Sequence, residues 1–423
     1  MSRAIFVEPR RLKYVSTINA ESLSEATSPD YELQYMDIGN VDSYGKVHDI
    51  VAYRFEDAPS RARRVVRHGD VIISTVRTYL QAIYPVENPP ENLIVSTGFA
   101  VVRPNVDLLD PGFCKYAVRE NKFLWEVESR STGVSYPAIN SSELENIQVN
   151  LPSLEVQRLI ADYLDREIAH IYALVSEKKS MLALLEEKRV ALISHAVTRG
   201  LNSDVALKPS GLDWFGDIPA HWSTCQLKRT WESSDYGISE SILEEGDIAV
   251  LRMSCVVDGR IALEKSGMIN DVSEKLLLQR DDLLYNRTNS LDQIAKVGLI
   301  DFDPITPLTF ASYLVRIRTN QRAYPKYLVY LLNSADFLLF ARKNAIPAIG
   351  QANLNPSRYG DIHIPLPPLQ EQKQIMEVLG AETKSAVSLL LELVHSIELL
   401  KERRAALISA AVTGKIAIEE MIS

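Results

Sequence analysis

The sequence predicts two copies of one mixed α/β (α+β) domain, joined by two long α-helices that pair as an antiparallel coiled coil, with an internal pseudo-twofold repeat. Three observations predict it. First, LPSLEVQRLIADYL from Leu151 returns as LPPLQEQKQIMEVL from Leu366, and EKRVALISHAVTRG from Glu187 returns as ERRAALISAAVTGK from Glu402, both at an offset of 215 residues. Eight of the ten residues 189–198 are identical in the second copy, an improbable match for two unrelated helices. Second, both repeated stretches carry apolar residues at spacings of three and four, the mark of a helix with one apolar seam. Third, outside these stretches short β-rich runs (71–75, 99–102, 283–285, 314–317, 362–364) alternate with helical patterns (113–127 and 327–342).

In chain order, the first domain spans 1–150. FAVVRPN (99–105) lies over LVRIRTN (314–320), and SYPAINSSELENIQVNLP (135–152) over GQANLNPSRYGDIHIPLP (350–367), which places Asn140 on Asn355. GDVIISTVRT (69–78) resembles DDLLYNRTNS (281–290) at a slightly shorter offset, so loops of different length intervene. The first long helix occupies 151–200. Pro152 stands where helix starts favour proline and Gly200 where helix ends favour glycine. Residues 201–365 form the second domain. It opens on a Pro- and Gly-rich stretch, 201–222, that reads as a linker whose Trp214, Phe215 and Trp222 dock on the following domain. The second long helix, 366–415, runs from Pro367 and Pro368 to Gly414, and a tail, 416–423, follows.

The seam of the first helix comprises Leu164, Ile168, Ile171, Val175, Leu182, Leu185 and Leu192. That of the second comprises Leu379, Ala386, Leu390, Leu393, Ile397, Leu400 and Leu407. Arg189 and Arg404 interrupt the two seams at equivalent positions, as register-fixing polar residues do. A helix over 153–198 is about 70 Å long at about 1.5 Å per residue. Neither helix has a large partner of its own in sequence, so packing one against the other is the economical arrangement.

A chain of 423 residues is too long for one ordinary domain. Its 46% hydrophobic and 24% charged residues are those of a soluble globular protein. No signal-peptide core or membrane-length apolar run occurs, so a cytoplasmic location is expected. Cys114, Cys225 and Cys255 stand far apart without a CxxC pair, and read as buried small apolar side chains in a reducing compartment. The net charge of −9 argues against simple DNA binding, which draws on phosphate neutralisation. Residues 1–150 carry 16 Lys+Arg against 20 Asp+Glu, and residues 201–365 carry 17 against 20. Any DNA contact must therefore rest on local clusters and on partner subunits.

Catalytic and metal motifs are missing. VTGK (412–415) lacks the upstream glycine and following Ser or Thr of a phosphate loop, and neither GxGxxG nor HExxH occurs. The seven histidines are scattered singly, which suits surface or hydrogen-bonded structural roles. NPPE (88–91) approaches the Asn-Pro-Pro-aromatic signature of amino-methyltransferases, in which the aromatic stacks on a flipped base. Glu91 stands in the aromatic's place, and a proline-rich turn is the better account. No catalytic residue, metal ligand or cofactor site is assigned to this chain.

The order of domain, helix, domain, helix resembles the specificity subunit of type I restriction–modification systems. LPSLEVQ and LPPLQEQ at the helix starts carry the resemblance, with ISHAVTRG and ISAAVTGK at their ends. The junction KPSGLDWFGDIPAHW (208–222), with its Gly-x-Ile-Pro-x-His-Trp core, looks like the family's usual opening to its second domain. GDVIIS, DDLLYNRTNS and the loops before each helix are weaker marks. Ser135 and Tyr136 depart from the second copy's Gly350 and Gln351. The resemblance implies a non-catalytic subunit of a restriction–modification complex acting in DNA methylation and defence against foreign DNA. Two target recognition domains would each read half of a bipartite, asymmetric site in double-stranded DNA. The helices would set the spacing and dock two methyltransferase subunits, on which S-adenosylmethionine is expected. Motor–nuclease subunits would complete the complex, with no membrane partner. Partners that close around the duplex would share its phosphate contacts, which answers the acidic charge.

For DNA contact, Arg63 and Arg64 belong to the densest basic cluster, with Arg61, Arg67 and His68; a solvated edge beside Glu56 and Asp57 is the alternative. Arg77, Thr78 and Tyr79, and Arg287, Thr288, Asn289 and Ser290, follow apolar strands and so project from loops held by rigid elements. Arginine matches guanine bidentately, and Asn or Gln matches adenine. Tyr136, Asn140, Gln351 and Asn353 sit in the loops before the helices, where Asn140 and Asn355 also suit turn capping. Arg189 and Arg404 equally suit snorkelling side chains on a coiled-coil edge. Lys178, Lys179, Glu186 and Glu187 lie on outward helix faces, which the resemblance tilts toward the methyltransferase subunit. Two other functions remain open to the sequence. One is a stand-alone methyltransferase or nuclease, tested by a methyl-transfer assay. The other is a coiled-coil scaffold without a DNA role, which would expose no basic strip across both domains.

Overall fold

The computed structural model describes residues 8–43, 45–348 and 350–422, so the first seven residues of the expected first domain and the last of the expected tail lie outside the described residues. The chain divides into two compact units, Met1–Lys179 with Leu393–Ser423, and Ser180–Glu392. Each unit takes one globular domain and a stretch of both long helices.

In the first unit, an antiparallel four-stranded sheet runs in the order Ser16–Ile18, Phe99–Pro104, Val71–Ser74, Ile83–Pro85. Valine, isoleucine and phenylalanine fill the two central strands, which are buried almost throughout, as β-branched and aromatic side chains on a covered pleat should be. A second sheet orders Val51–Arg54, Glu32–Met36, Leu93–Ser96 and Ala62–Val65, and pairs Glu32–Met36 with Leu93–Ser96 in parallel. Glu8–Arg11 pairs antiparallel with Gln148–Leu151, Glu8 facing Leu151.

The second unit is built on the same plan. Its main sheet orders Trp231–Tyr236, Leu314–Thr319, Leu283–Asn286 and Val297–Leu299. A smaller sheet of Gly267–Ile269, Ile248–Leu251 and Leu308–Phe310 again contains one parallel pair. Ser223–Gln226 pairs with His363–Leu366, Ser223 facing Leu366, which is the register of the first unit 215 residues later. The faint repeat of the domain sequences is thus a repeat of topology.

The long helices span Leu154–Arg199 and Leu369–Val412. The first unit's core joins Ile160, Leu164 and Ile168 with Ile408, Ala411 and Val412 around Phe113 and Phe123. The second unit's core joins Ala196 and Val197 with Ile375, Met376 and Leu379 around Trp222, Tyr327 and Phe337. In each unit, then, the start of one long helix and the end of the other share a core. Of the expected seam, Leu164, Ile168, Ile171, Val175, Leu379, Leu393 and Ile397 are buried. Leu182, Leu185, Ala386, Leu390, Leu400 and Leu407 are half-buried and Leu192 is exposed.

A repeated glutamine locks each helix start. Gln157 is fully buried; its Nε2 donates to the carbonyls of Leu108 (3.0 Å) and Pro152 (2.8 Å), and its Oε1 accepts from Asp110 N–H (2.8 Å). Gln372 donates to Arg322 (2.9 Å) and Pro367 (2.9 Å) and accepts from Tyr324 N–H (2.7 Å). Gln157→Leu keeps the volume and orphans three backbone groups, each costing about 1–3 kcal/mol when buried. We expect a net loss of about 3 kcal/mol in unfolding free energy, read in urea; an unchanged midpoint would refute the lock.

The stretch 201–222, read as a linker, contains an ordered antiparallel hairpin of Leu207–Leu212 and Phe215–Pro219. It is ordered because its aromatics dock: Trp214 meets Phe337 edge-on at 5.4 Å and donates to the carbonyl of His363. Trp222 is buried and donates to Glu371 Oε1 (3.0 Å), while the Nε2 of His221 lies 2.8 Å from Glu371 Oε2. The His-Trp end of the junction peptide thus clamps the start of the second long helix. Gly200 adopts φ 78°, and a Cβ there would meet Glu371 Oε1 at 3.3 Å and the Trp222 ring at 3.4 Å. Cys114 and Cys255 are fully buried and Cys225 half-buried. Burial pushes the Cys114 thiol up to about 12. Among the described residues, no helix is long and apolar enough to cross a membrane.

Candidate nucleic-acid interface

In both units the loop leaving the central strand is paired to the segment that precedes a short helix, capped by Asn140 in the first unit and Asn355 in the second. In the first unit this loop begins at Thr75, whose carbonyl accepts from Ile139 N–H (2.9 Å). Val76 bridges Ala138, and Ala138 bridges Thr132, so residues 132–138 form a small finger turned at Gly133 (φ 111°). Arg77 adopts a left-handed conformation, as does Gln81, and between them Thr78–Leu80 makes one 3-10 turn. Non-glycine residues held there are strained and persist only where their surroundings impose them. Here Arg77 N–H donates to Pro137 (2.8 Å), the Arg77 guanidinium lies 4.7 Å from the centre of the Tyr136 ring, and the Thr78 and Ser131 hydroxyls are 2.8 Å apart. Arg77, Tyr79 and Tyr136 are exposed, and Val134 at the fingertip is fully so. Thr78 is buried and braces the loop.

The second unit reaches the same layout with more regular backbone. Thr288–Asn289 pairs with Gln351–Asn353, which pairs with Ile346–Ala348. Asn353 Nδ2 donates to Thr288 Oγ1 (2.8 Å), and Leu354 N–H to the Arg287 carbonyl (2.8 Å). Arg287 sits 4.9 Å from the Tyr236 ring centre and donates to the carbonyl of Ser312 (3.3 Å). Asn289 accepts from Ser290 N–H (2.8 Å). Gln351 is exposed, beside Gly350 at φ 74°. The structure therefore gathers Arg77, Thr78, Tyr79 and Tyr136 in one loop pair, and Arg287, Thr288, Asn289, Ser290, Gln351 and Asn353 in the other.

Asn140 caps Ser141–Leu144, accepting from Glu143 N–H (2.8 Å), and Asn355 caps Pro356–Asp361 through Arg358 N–H (2.9 Å). Arg63 and Arg64 lie on Ala62–Val65, in the other sheet of the first unit. Arg63 stacks on Phe55 at 4.7 Å and Arg64 donates to Ser22 (3.1 Å), with burial lowering the Arg64 pKa. Arg67 pairs with Glu21 (2.7 Å), so much of this basic run is tied into its own domain. NPPE is a turn, with Asn88 left-handed.

Sequence reasoning missed what holds the strand before each of these loops. Asp70, immediately before Val71–Ser74, receives Arg103 bidentately (2.8 and 2.9 Å), and its Oδ2 accepts from Arg67 N–H (2.8 Å). Asp282, immediately before Leu283–Asn286, receives Arg318 bidentately (2.7 and 3.2 Å) and accepts from Gln279 N–H (3.0 Å). The signal was present in the repeat, since Asp70 lies over Asp282 and Arg103 over Arg318. Both arginines have raised pKa values, chiefly from these aspartate bonds.

Comparison with known proteins adds a family. The sequence profile described as the type I restriction modification DNA specificity domain matches residues 64–182 and 232–393. The putative type I restriction enzyme MjaX specificity subunit of Methanocaldococcus jannaschii is 29% identical over 39% of this chain and 40% of that protein. The StySPI specificity subunit of Salmonella potsdam is 22% identical over 63% of this chain and 57% of its own length. The chain thus spans about half the length of these two relatives. The EcoBI specificity subunit of Escherichia coli is 22% identical over 80% of this chain and 77% of that protein. Among solved structures, a chain from a study of complex assembly and conformational transition of the type I R-M system aligns with a TM-score of 0.74 at 22% identity, covering 97% of this chain and 98% of that one. The HsdS subunit from Thermoanaerobacter tengcongensis aligns with a TM-score of 0.60 at 21% identity, with 97% of each chain covered. At these identities the alignments speak for the fold.

Proposed function

The chain belongs to the type I restriction modification DNA specificity family, and from that premise we propose that it is the DNA sequence-specificity subunit of a type I restriction–modification complex. One observation carries this reading to named residues: in each unit, a loop leaving a rigid central strand is fastened to the segment before the Asn140 or Asn355 cap, presenting polar and aromatic side chains together. Residues 1–150 and 201–365 act as recognition domains, each reading half of a bipartite, asymmetric site. Residues 151–200 and 366–415 act as spacers, packed as an antiparallel coiled coil with a pseudo-twofold relation between the halves. Support for the antiparallel direction comes from each unit separately. Arg404 lies 5.5 Å from the Tyr172 ring centre in the first, and Ala196 shares a core with Ile375 in the second. Two methyltransferase subunits dock on this framework and bring S-adenosylmethionine, motor–nuclease subunits complete the complex, and this chain performs no chemistry itself.

Arg77 suits guanine and Gln351 suits adenine, and a good bidentate contact is worth about 1–3 kcal/mol of discrimination. Methylome sequencing of a host carrying this chain with its methyltransferase subunit should return one bipartite, asymmetric motif. Arg77→Ala should relax one half of that motif at about tenfold or more, and Gln351→Ala the other half alone. A motif that is not bipartite would sink the function; a change in both halves from either variant would sink the independence of the domains.

A further inference from the structure

The triplets Arg77-Thr78-Tyr79 and Arg287-Thr288-Asn289 look like counterparts, since each opens on arginine and threonine after an apolar strand. The backbone pairing matches them differently. Thr75 N–H donates to the Gly98 carbonyl (2.8 Å), and the Thr75 carbonyl accepts from Ile139 N–H (2.9 Å). Arg287 N–H donates to the Tyr313 carbonyl (3.0 Å), and the Arg287 carbonyl accepts from Leu354 N–H (2.8 Å). Tyr313 and Leu354 each stand 215 residues after Gly98 and Ile139, so Arg287 takes the place of Thr75. One residue on, Val76 bridges Ala138 and Thr288 pairs with Asn353. At the next step Arg77 N–H donates to Pro137, and Asn289 faces Ala352. Arg77 is therefore matched by Asn289 and Tyr136 by Gln351. Tyr79 falls on Leu291, and these two are 55% and 60% exposed.

The side chains follow this register. Thr75 is buried and its hydroxyl donates to the Gly98 carbonyl (2.8 Å). Arg287, in the same place, also turns back on its own domain, to the Ser312 carbonyl and the Tyr236 ring. Two residues later the groups face outward: Arg77 is exposed over the exposed Tyr136 ring, and Gln351 is exposed beside Asn289. Asn289 Oδ1 accepts from Ser290 N–H, so its oxygen is spent on its own turn.

We propose that residues 77 with 136, and 289 with 351, are one reading position that occurs once in each domain, and that Arg287 braces its loop instead of reading DNA. In the first domain Arg77, lying over Tyr136, selects guanine; in the second Gln351, beside Asn289, selects adenine. Two parallel donors match guanine O6 and N7, whereas a side-chain amide matches adenine N6 and N7 with one acceptor and one donor. Both roles rest on the proposed reading of DNA by these domains.

The test exchanges the two pairs in the full-length chain, which is assembled with its methyltransferase subunit and read by methylome sequencing. Asn289→Arg with Gln351→Tyr should turn one A·T pair of the second half-site into G·C, with a preference of about tenfold or more. The first half-site, still read as before, reports that the chain has folded and assembled. Arg77→Asn with Tyr136→Gln should make the reverse change in the first half-site alone, and asparagine tolerates the left-handed backbone at 77. Arg287→Thr, which copies Thr75, should leave the base sequence of both half-sites unchanged. A half-site unaltered by its own exchange, or one base lost without the other gained, overturns the proposal. So does a changed base after Arg287→Thr. Equivalent positions must accept each other's residues, so loss of all methylation by both exchanges overturns it as well. The unsubstituted chain separates the two levels. A parent motif that is not bipartite removes the proposed function, whereas a bipartite parent motif with unswitched exchanges removes only the shared reading position.

Discussion

Asp282→Ala is expected to lower the stability of the second unit by about 3–5 kcal/mol, the cost of removing one partner from a buried ion pair. Asp282 has no exposed surface, and three cations or donors converge on it. Arg318 holds both its oxygens, Gln279 N–H donates to one of them, and Arg316 Nη1 stands 4.0 Å away. Arg316 is itself buried and keeps Asp235 as a partner at 2.8 Å, so the charge stranded by the substitution is mainly that of Arg318. Three of the four tryptophans, Trp214, Trp222 and Trp231, belong to the second unit, so intrinsic fluorescence in a urea titration reads the loss where it occurs. Asp70→Ala should cost less, because Arg103, about as exposed as Arg318, retains Glu21 as a carboxylate partner. Replacing both partners, Asp282→Leu with Arg318→Met, should recover part of the loss, since an apolar pair leaves no buried charge alone. Equal stability of Asp282→Ala and the parent chain would show that the pair is not holding the sheet. Because Asp282 immediately precedes the strand Leu283–Asn286 and Arg287 immediately follows it, the same variant should degrade reading by the second domain before the first.

The helices and the repeat were legible because their signals are local and periodic. A seam at spacings of three and four, proline at one end and glycine at the other need no tertiary knowledge, and Gln157 and Gln372 were in plain view inside LPSLEVQ and LPPLQEQ. Their role was not legible, since it depends on Asp110 and Tyr324 arriving at the helix start from about fifty residues away. The linker reading of 201–222 followed from proline and glycine content, which marks turns; the hairpin depends on Phe337 and Glu371, far along the chain, to anchor Trp214 and Trp222. The basic run at 61–67 reads either as a phosphate-binding patch or as a solvated edge beside Glu56 and Asp57, because sequence shows charge but not its partners; Glu21 and Ser22, which Arg67 and Arg64 meet, lie some forty residues earlier. Conversely, Arg77 and Tyr136 were named separately and are joined by Pro137 and a guanidinium–ring contact. Asn140 was expected either to cap or to touch DNA, and capping is the contact it makes.

The largest functional effect should come from shortening both helices together. Removing 176–182 from the first and 394–400 from the second takes one heptad from each, which preserves the seam to within about 20° of rotation. The spacer loses about 10 Å, at about 1.5 Å per residue, equivalent to about three base pairs at about 3.4 Å each. We therefore expect methylome sequencing to return both half-sites unchanged, with the gap between them about three base pairs shorter. Rotation limits how well the shortened protein works. Three base pairs turn the duplex by about 100° on a repeat of about 10.5, whereas the heptad deletion turns the domains by about 20°. The difference must be met by twisting or bending DNA, at a cost of order 1–6 kcal/mol, so methylation at the new gap should be slower than at the old one in the parent protein. Deleting seven residues from the first helix alone should instead be far more damaging, because it carries every later seam residue out of step with its partner helix. An unchanged gap after the paired deletion would show that the helices do not measure DNA. A shortened gap methylated at full rate would show that the domains swivel freely on their helices, making length alone the quantity measured.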